Sequence, residues 1–452
     1  MSVFLLIPGC ISLFLVLRGR VETAFLSVYL PSLLLIPQDY SFKIPHLPDL
    51  SAAEYALIPI GFVALRKHIQ SGSFRLMDSL VFLFWVSYSA SEIFGEPVTS
   101  DGIFNILWAV VPYLMAYATG RRLIEPGLRF ETVRRWVIFV LLLAPIGVYE
   151  WRFGQKAYGI LGQKLGLSMM SSAVPLRNGR GRLSVSLGGG ELTGIAIAVT
   201  AALNAWLVFL GKARTGVDLG KWLARLERYR VPGLLLLLCV YMTQSRAPLI
   251  SLFVGYLIIQ IAKFNKIKLA TGLVAILLIV GAVGAQQYLS HYTAGEVNYD
   301  DEQRASAQYR REMNIAYQSV AETGGWLGWS AGAVPVMGGQ KSIDNDFLLV
   351  HLAQGKFGYI LLILIAAESV RTAIARAWSF QALEDRALAC CMLAIFAIFW
   401  ISYYTVFMGG QLPQITFLLL GWGQSLVPGK AGTASVADVQ SQSRFGFRRV
   451  LT

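Results

Sequence analysis

The strongest constraint on this chain is the succession of long apolar runs that fills most of its length. Coiled as a helix, a run of roughly 17 to 25 residues spans the ~30 Å of a bilayer's hydrocarbon core. No water is available there, so every backbone N–H and C=O must be bonded inside the segment. Such runs begin near residues 3, 22, 77, 103, 135, 191, 246, 268, 346, 387 and 413, with shorter ones near 50 and 231. The expected fold is therefore all-α, a polytopic membrane helix bundle of about thirteen spans (roughly 12 to 14) with one large external loop. Composition agrees, since 55% of the 452 residues are hydrophobic and only 14% charged, against ~25% charged in a typical soluble domain. The run 3–17 lacks a basic start and a small-residue cleavage site, and further spans follow at once. It is expected to stay as a helix instead of being removed as a signal peptide.

Orientation follows from lysine and arginine, which are retained on the cytoplasmic side. Alternate connections, counted from Arg18 onward, hold 26 of the 39 basic residues, which puts the N-terminus outside and the tail inside. The others lie almost all in two outward segments, 151–190 with six and 286–345 with four. Outward loops are normally poor in arginine, so these residues call for either headgroup contacts or an anionic ligand. The net charge of +13 is spread over loops without forming a basic face, which argues against nucleic acid and for the anionic lipid bilayer as counter-charge. Cys10, Cys239, Cys390 and Cys391 all fall in apolar runs without metal spacing and are expected to be packing residues.

The chain divides into a transmembrane scaffold, 1–150, and a second group of spans, 151–285, with an Arg/Gly-rich external loop at 151–190 and a basic cytoplasmic loop at 211–231. A large external loop, 286–345, the C-terminal spans, 346–428, and a polar tail, 429–452, complete it. The tail is Ser-rich and expected to be disordered. In the basic loop, Trp222, Leu223 and Leu226 suit an amphipathic helix lying on the inner leaflet.

Chemistry-bearing residues concentrate in the outward segments. Arg177, Arg180 and Arg182 precede Ser184, Ser186 and the run Gly188-Gly189-Gly190 at the entrance to a span. A cationic, glycine-rich helix entrance suits phosphate, although three glycines also make a flexible turn. Arg246 follows Thr243-Gln244-Ser245 at the boundary between two helices, where an arginine faces a polar cavity or snorkels to headgroups. The stretch 300–320 reads as a surface helix carrying Arg304, Gln308 and Arg311 on one strip and Arg310, Asn314 and Tyr317 on the next. Six glycines with Trp326 and Trp329 occupy 324–339, a composition for stacking on sugar rings or for an interfacial anchor. Ser342-Ile343-Asp344-Asn345 then opens a helix expected over about 346–367. His351 lies seven residues, two helical turns, beyond Asp344, so in one continuous register both would face one cavity. Gly355 and Gly358 are expected to permit close helix contact. The acidic group Asp300, Asp301 and Glu302 is expected to cap or solvate the loop helix; neither a metal site nor a cofactor is expected.

The order of these motifs resembles the O-antigen ligase and O-antigen polymerase-like superfamily of integral-membrane glycosyltransferases. Its usual signature is His-Asn, nine residues, then Gly-x-x-Gly, opening the helix after a large external loop; Asp344-Asn345, Gly355 and Gly358 fit that frame. Gln244-Ser245-Arg246-Ala247 looks like the family's Ser-Arg span entry, and Gly325-Trp326-Leu327-Gly328-Trp329 resembles its glycine-rich turn. Arg310 or Arg311 would be the external-loop arginine, and Arg182 resembles the arginine ahead of another span. The likeness covers about 180–365, with one departure, Asp344 in place of the family's histidine, which favours a polymerase over a ligase. The resemblance implies a bacterial inner-membrane enzyme that is metal-independent and inverting. Its donor would be a glycan on polyprenyl (undecaprenyl) diphosphate, its acceptor a glycan or a lipid-linked sugar, in surface or exopolysaccharide assembly alongside other assembly proteins. Catalysis is then expected from Asp344, Asn345 and Arg246, and binding from Arg182, Arg310, Arg311, Trp326, Trp329 and His351. Two other classes compete: a lipid-linked glycan flippase and a non-catalytic subunit of an assembly complex. Against a flippase stand the lack of an internal repeat and of paired broken helices, and the placement of the polar mass outside the spans.

Overall fold

The computed structural model describes residues 2–42, 49–95, 100–167, 172–177, 179–213, 231–294, 302–337 and 342–426. The expected amphipathic helix in the basic loop, the acids Asp300 and Asp301, and the polar tail lie outside these residues. Helices dominate. We number them α1 (Ile7–Leu17), α2 (Val21–Leu35), α3 (Ala52–Gln70), α4 (Leu76–Phe94), α5 (Gly102–Leu123), α6 (Pro126–Phe153), α7 (Ala157–Leu165) and α8 (Gly190–Ala213). The rest are α9 (Val231–Met242), α10 (Arg246–Gln260), α11 (Ile267–Tyr292), α12 (Glu302–Thr323), α13 (Asp346–Ser379), α14 (Leu383–Thr405) and α15 (Leu412–Ser425). Among the described residues the strands amount to two short antiparallel pairs, Ser41–Phe42 with Leu50–Ser51 and Leu176–Arg177 with Arg180–Gly181.

A helix stands near every apolar run expected from the sequence, but among the described residues seven helices, α5, α6, α8, α10, α11, α13 and α14, are long and apolar enough to cross a bilayer. The helices α1, α2 and α9 are apolar but shorter. Burial accounts for one short helix: α15 is enclosed by neighbours along nearly all of its length, so protein rather than lipid satisfies its surroundings. Its backbone lies almost against that of α5, where a Cβ on Gly120 would meet Trp422 N at 2.8 Å and one on Gly421 would meet Arg121 N at 3.0 Å. Small residues at a membrane-helix crossing permit this approach.

The end of the bundle remote from Asp344 is fastened by charge. Arg75 and Arg121 donate to Gln424 O at 2.8 and 2.9 Å, and Arg376 bonds Gly423 O and Gln424 Oε1. Three cations thus meet the carbonyl end of α15, the pole of a helix that favours them. Asp78 balances the group, accepting from Tyr117 Oη at 2.6 Å and pairing with Arg121 Nε at 3.0 Å.

At the other end, α12 and the first turns of α13 lie side by side and run in the same direction. Asn314 bonds Asn345, Leu352 packs into the small core with Met313, Tyr317 and Ala321, and Glu322 pairs with Lys356 at 2.9 Å. The helix α13 is broken at Gly355, where φ is 66° and ψ −166°. This corrects the expected role of Gly355, which interrupts the helix, whereas Gly358 does serve close packing, a Cβ there lying 3.1 Å from Ser87 Oγ. The segment beyond the break, 356–379, is about 36 Å long at 1.5 Å per residue, enough for a bilayer crossing by itself. The glycine-rich turn supplies the backbone bonds that the break removes. Trp329 N and Ser330 N donate to Leu352 O and Ala353 O at 2.9 and 3.0 Å, while Lys356 N and Phe357 N donate to Gly325 O and Trp326 O at 3.1 and 3.2 Å. Glu92 on α4 holds the same turn, accepting from Ala331 N at 2.7 Å.

Candidate functional site

Two glutamates bracket the basic strip 151–190, and both fasten it. Glu150, at the end of α6 and fully buried, accepts from Ser184 N at 2.9 Å and Val185 N at 2.8 Å. These bonds hold Val185 at φ 40°, a conformation that a β-branched residue avoids. Arg182 Nε and Arg177 Nη1 donate to Thr243 O at 3.2 Å and Gln244 O at 2.8 Å, and Leu183 N donates to Met242 O, so the strip caps the carbonyl end of α9. Replacing Glu150 by alanine is expected to lower the unfolding free energy by ~1–3 kcal/mol, because two buried N–H groups lose their acceptor. Glu150→Gln, which keeps an amide oxygen, is expected to lose less, a ranking readable from thermal unfolding in detergent.

Near the end of the strip the chain turns at Gly188, whose φ of 97° needs a glycine, and enters α8 with Glu191 in the first turn. A cleft of about 240 Å³ opens here, lined among others by Lys156, Arg182, Gly190, Glu191, Asp344 and Phe407. An ion-pair chain runs along it. Glu191 Oε1 receives Arg182 Nη2 at 3.3 Å and Arg310 Nη2 at 3.5 Å, and the same Arg310 nitrogen lies 3.7 Å from Asp344 Oδ2. Ser342 Oγ donates to Asp344 Oδ1 at 2.7 Å. The side chains of Arg310, Asp344 and Glu191 are each about a quarter to a third exposed, at 32%, 26% and 25%. Asp344 and Glu191 line the cleft, and Arg310 pairs with both of them.

Of the residues nominated from sequence, Arg182, Arg310 and Asp344 therefore meet. Asn345 stands next to them but points away from the cleft, its Oδ1 capping α13 through Leu348 N at 3.2 Å and its Nδ2 donating to Asn314. Arg246 is exposed at the first residue of α10 and makes no hydrogen bond or ion pair with another described residue. Its helix entrance adjoins the cleft, since a Cβ on Gly190 would lie 3.2 Å from Thr243 O. Arg311 turns to the opposite side of α12 and donates to Thr293 O at 3.1 Å, tethering the end of the otherwise exposed α11.

His351 is not brought to Asp344. The helix starts only at Asp346, so Asp344 lies outside its register, and His351 stacks on Tyr359 with ring centroids 4.9 Å apart. It stands near the Glu322–Lys356 pair, in which the lysine's hydrogen bond holds the Glu322 carboxyl below its ordinary pKa. Trp329 donates its indole N–H to Val320 O at 3.3 Å and belongs to the turn that patches the break, whereas Trp326 is 66% exposed. Among the described residues no group of three or more His, Cys, Asp or Glu is placed to hold a metal.

Sequence reasoning passed over Glu191, Lys156, Ser342 and Glu150. A signal existed for two of them: Glu150 and Glu191 are consecutive carboxylates with six basic residues and no acid between them.

Residues 231–363 match the family model described as O-antigen ligase. The match supports the superfamily resemblance over the segment that carries Arg246, Arg310, the glycine-rich turn, Asp344 and the Gly355 break. Lys156, Arg182 and Glu191 lie outside it. No curated protein matches the chain.

Proposed function

We propose that this chain is a membrane glycosyltransferase of the O-antigen ligase and polymerase type. It would take a glycan from a polyprenyl (undecaprenyl) diphosphate donor and pass it to an acceptor sugar on the outer face of a bacterial inner membrane, in surface polysaccharide assembly. The observation that carries this reading is Arg310, which stands within ion-pair distance of Glu191 and Asp344, two residues that line a cleft together with Arg182 and Lys156.

In the reaction an acceptor hydroxyl attacks the anomeric carbon of the donor from the face opposite the diphosphate. The bond from that carbon to the diphosphate oxygen breaks, the hydroxyl proton passes to Asp344, and the configuration inverts. Negative charge grows on the departing diphosphate, and fixed cations already in place stabilise it without reorganisation. Guanidinium forks match phosphate oxygens in geometry as well as charge, so Arg310 and Arg182 fill the place a metal takes in other transferases. Arg246, uncommitted at the cleft's border, joins them when donor is bound. Ser342 orients the carboxylate that takes the proton.

The test is glycan transfer by the purified protein in nanodiscs, with a lipid-diphosphate-linked oligosaccharide and EDTA present. Lengthening of the lipid-linked glycan identifies a polymerase, and transfer to a different acceptor identifies a ligase. Arg310→Ala is expected to lower the rate ~10²–10³-fold, the scale for removing one fixed donor to developing charge, and Arg246→Ala to lower it in the same direction. A wild-type protein that carries the labelled lipid across the bilayer without forming a glycosidic bond would replace this reading by that of a transporter.

A further inference from the structure

We propose that Glu191 is the resident counter-ion of the cleft, which the donor's diphosphate displaces from Arg182 and Arg310 on binding. This rests on the reading of the cleft as a diphosphate site.

A single carboxylate oxygen, Glu191 Oε1, receives nitrogens from two arginines that arrive on separate segments, the strip before α8 and the helix α12. Carboxylate and phosphate engage a guanidinium through the same fork of N–H groups, so the two ligands exclude each other at these nitrogens. Glu191 sits in the first turn of α8, where the helix pole favours an anion, and its backbone is fixed by that helix. It therefore holds the place of an anion when the site is empty. Asp344 cannot serve both arginines in this way, since its contact is to Arg310.

Displacement has a second consequence. The released carboxylate stays tethered beside the bound diphosphate and repels it. An intact donor offsets that repulsion with its lipid and glycan contacts, whereas a small free anion has no such contacts. Glu191 thus discriminates against free phosphate and pyrophosphate and hastens departure of the spent diphosphate.

The experiment is equilibrium binding of inorganic pyrophosphate to the purified full-length protein in detergent, comparing wild type with Glu191→Gln, Arg182→Gln and Arg310→Ala, each checked by thermal unfolding. Glu191→Gln is expected to bind pyrophosphate about tenfold more tightly, the scale of two partly exposed ion pairs released together, and both arginine variants more weakly. In the transfer assay the KM for the lipid-linked donor should fall in Glu191→Gln, a direction that a damaged fold does not produce. If the arginine variants lose pyrophosphate but Glu191→Gln gains none, the displacement idea is overturned while the diphosphate site stands. Binding indifferent to both arginines, or undetectable in wild type and Glu191→Gln alike, overturns the diphosphate site and the displacement with it.

Discussion

Asp344→Ala is expected to lower glycan transfer ~10²–10⁴-fold, the range contributed by a positioned general base. The carboxylate faces the cleft, accepts Ser342 Oγ at 2.7 Å and lies 3.7 Å from the arginine proposed to hold the leaving group. An attack on one face of the anomeric carbon with departure from the other puts the sugar between base and clamp, so the contact between Asp344 and Arg310 has to open when the donor binds. Asp344→Asn sharpens the test, because the amide keeps the size and can still accept from Ser342 but cannot take a proton. It should be as inactive as the alanine variant; activity restored by asparagine would reduce Asp344 to a spacer. Asp344→His, which restores the residue usual in the family signature, should retain transfer. A fully active Asp344→Ala would mean that the base lies elsewhere. His351 would be the next candidate, although it stacks on Tyr359 instead of lining the cleft.

The second large effect is on folding. Gly355→Ala is expected to cost on the order of 4 kcal/mol or more and to leave little folded protein. Its φ of 66° with ψ of −166° belongs to a region that is essentially glycine's alone and strains other residues by ~1–3 kcal/mol. A Cβ would also overlap the backbone of Trp326 and Gly328, which forms the patch across the helix break. Displacing that patch endangers four backbone hydrogen bonds at a net ~1 kcal/mol each. Against a total stability of ~5–15 kcal/mol such a loss is large. Gly332→Ala, where an added Cβ meets nothing within 4 Å, is the matched control and should be nearly neutral. Yield and thermal unfolding in detergent measure both, and equal behaviour of the two variants would show that the break tolerates a side chain.

The helices were legible because hydrophobicity is a local property. A run of apolar residues forces intrasegment hydrogen bonding in lipid wherever its neighbours lie, so the position of each helix could be read from its own residues. The strips of α12 were legible in part for a related reason: helical periodicity separated Arg310, Asn314 and Tyr317, which reach Asp344, Asn345 and the small core against α13, from Arg304 and Arg311, which reach back to the end of α11, whereas Gln308, expected on the strip of Arg304 and Arg311, is buried. The Asp344–Asn345 doublet was located correctly at a helix entrance, but the register from Asp344 to His351 failed. It presumed a helix two residues longer at its start, and the cap at Asn345 ends it.

What the sequence by itself determined is the set of helices and the cationic character of the segments between them. Only the tertiary structure decided which charges meet. Glu191 finds Arg310 across more than a hundred residues because α12 lies beside α13 and the strip before α8 is tied to the end of α9. It decided likewise that Gly355 breaks a helix, since the compensating hydrogen bonds come from a turn some thirty residues earlier in the chain. Ion pairs and replacement backbone bonds depend on the distance between groups, and distance between remote segments is set by packing that no single stretch of residues encodes.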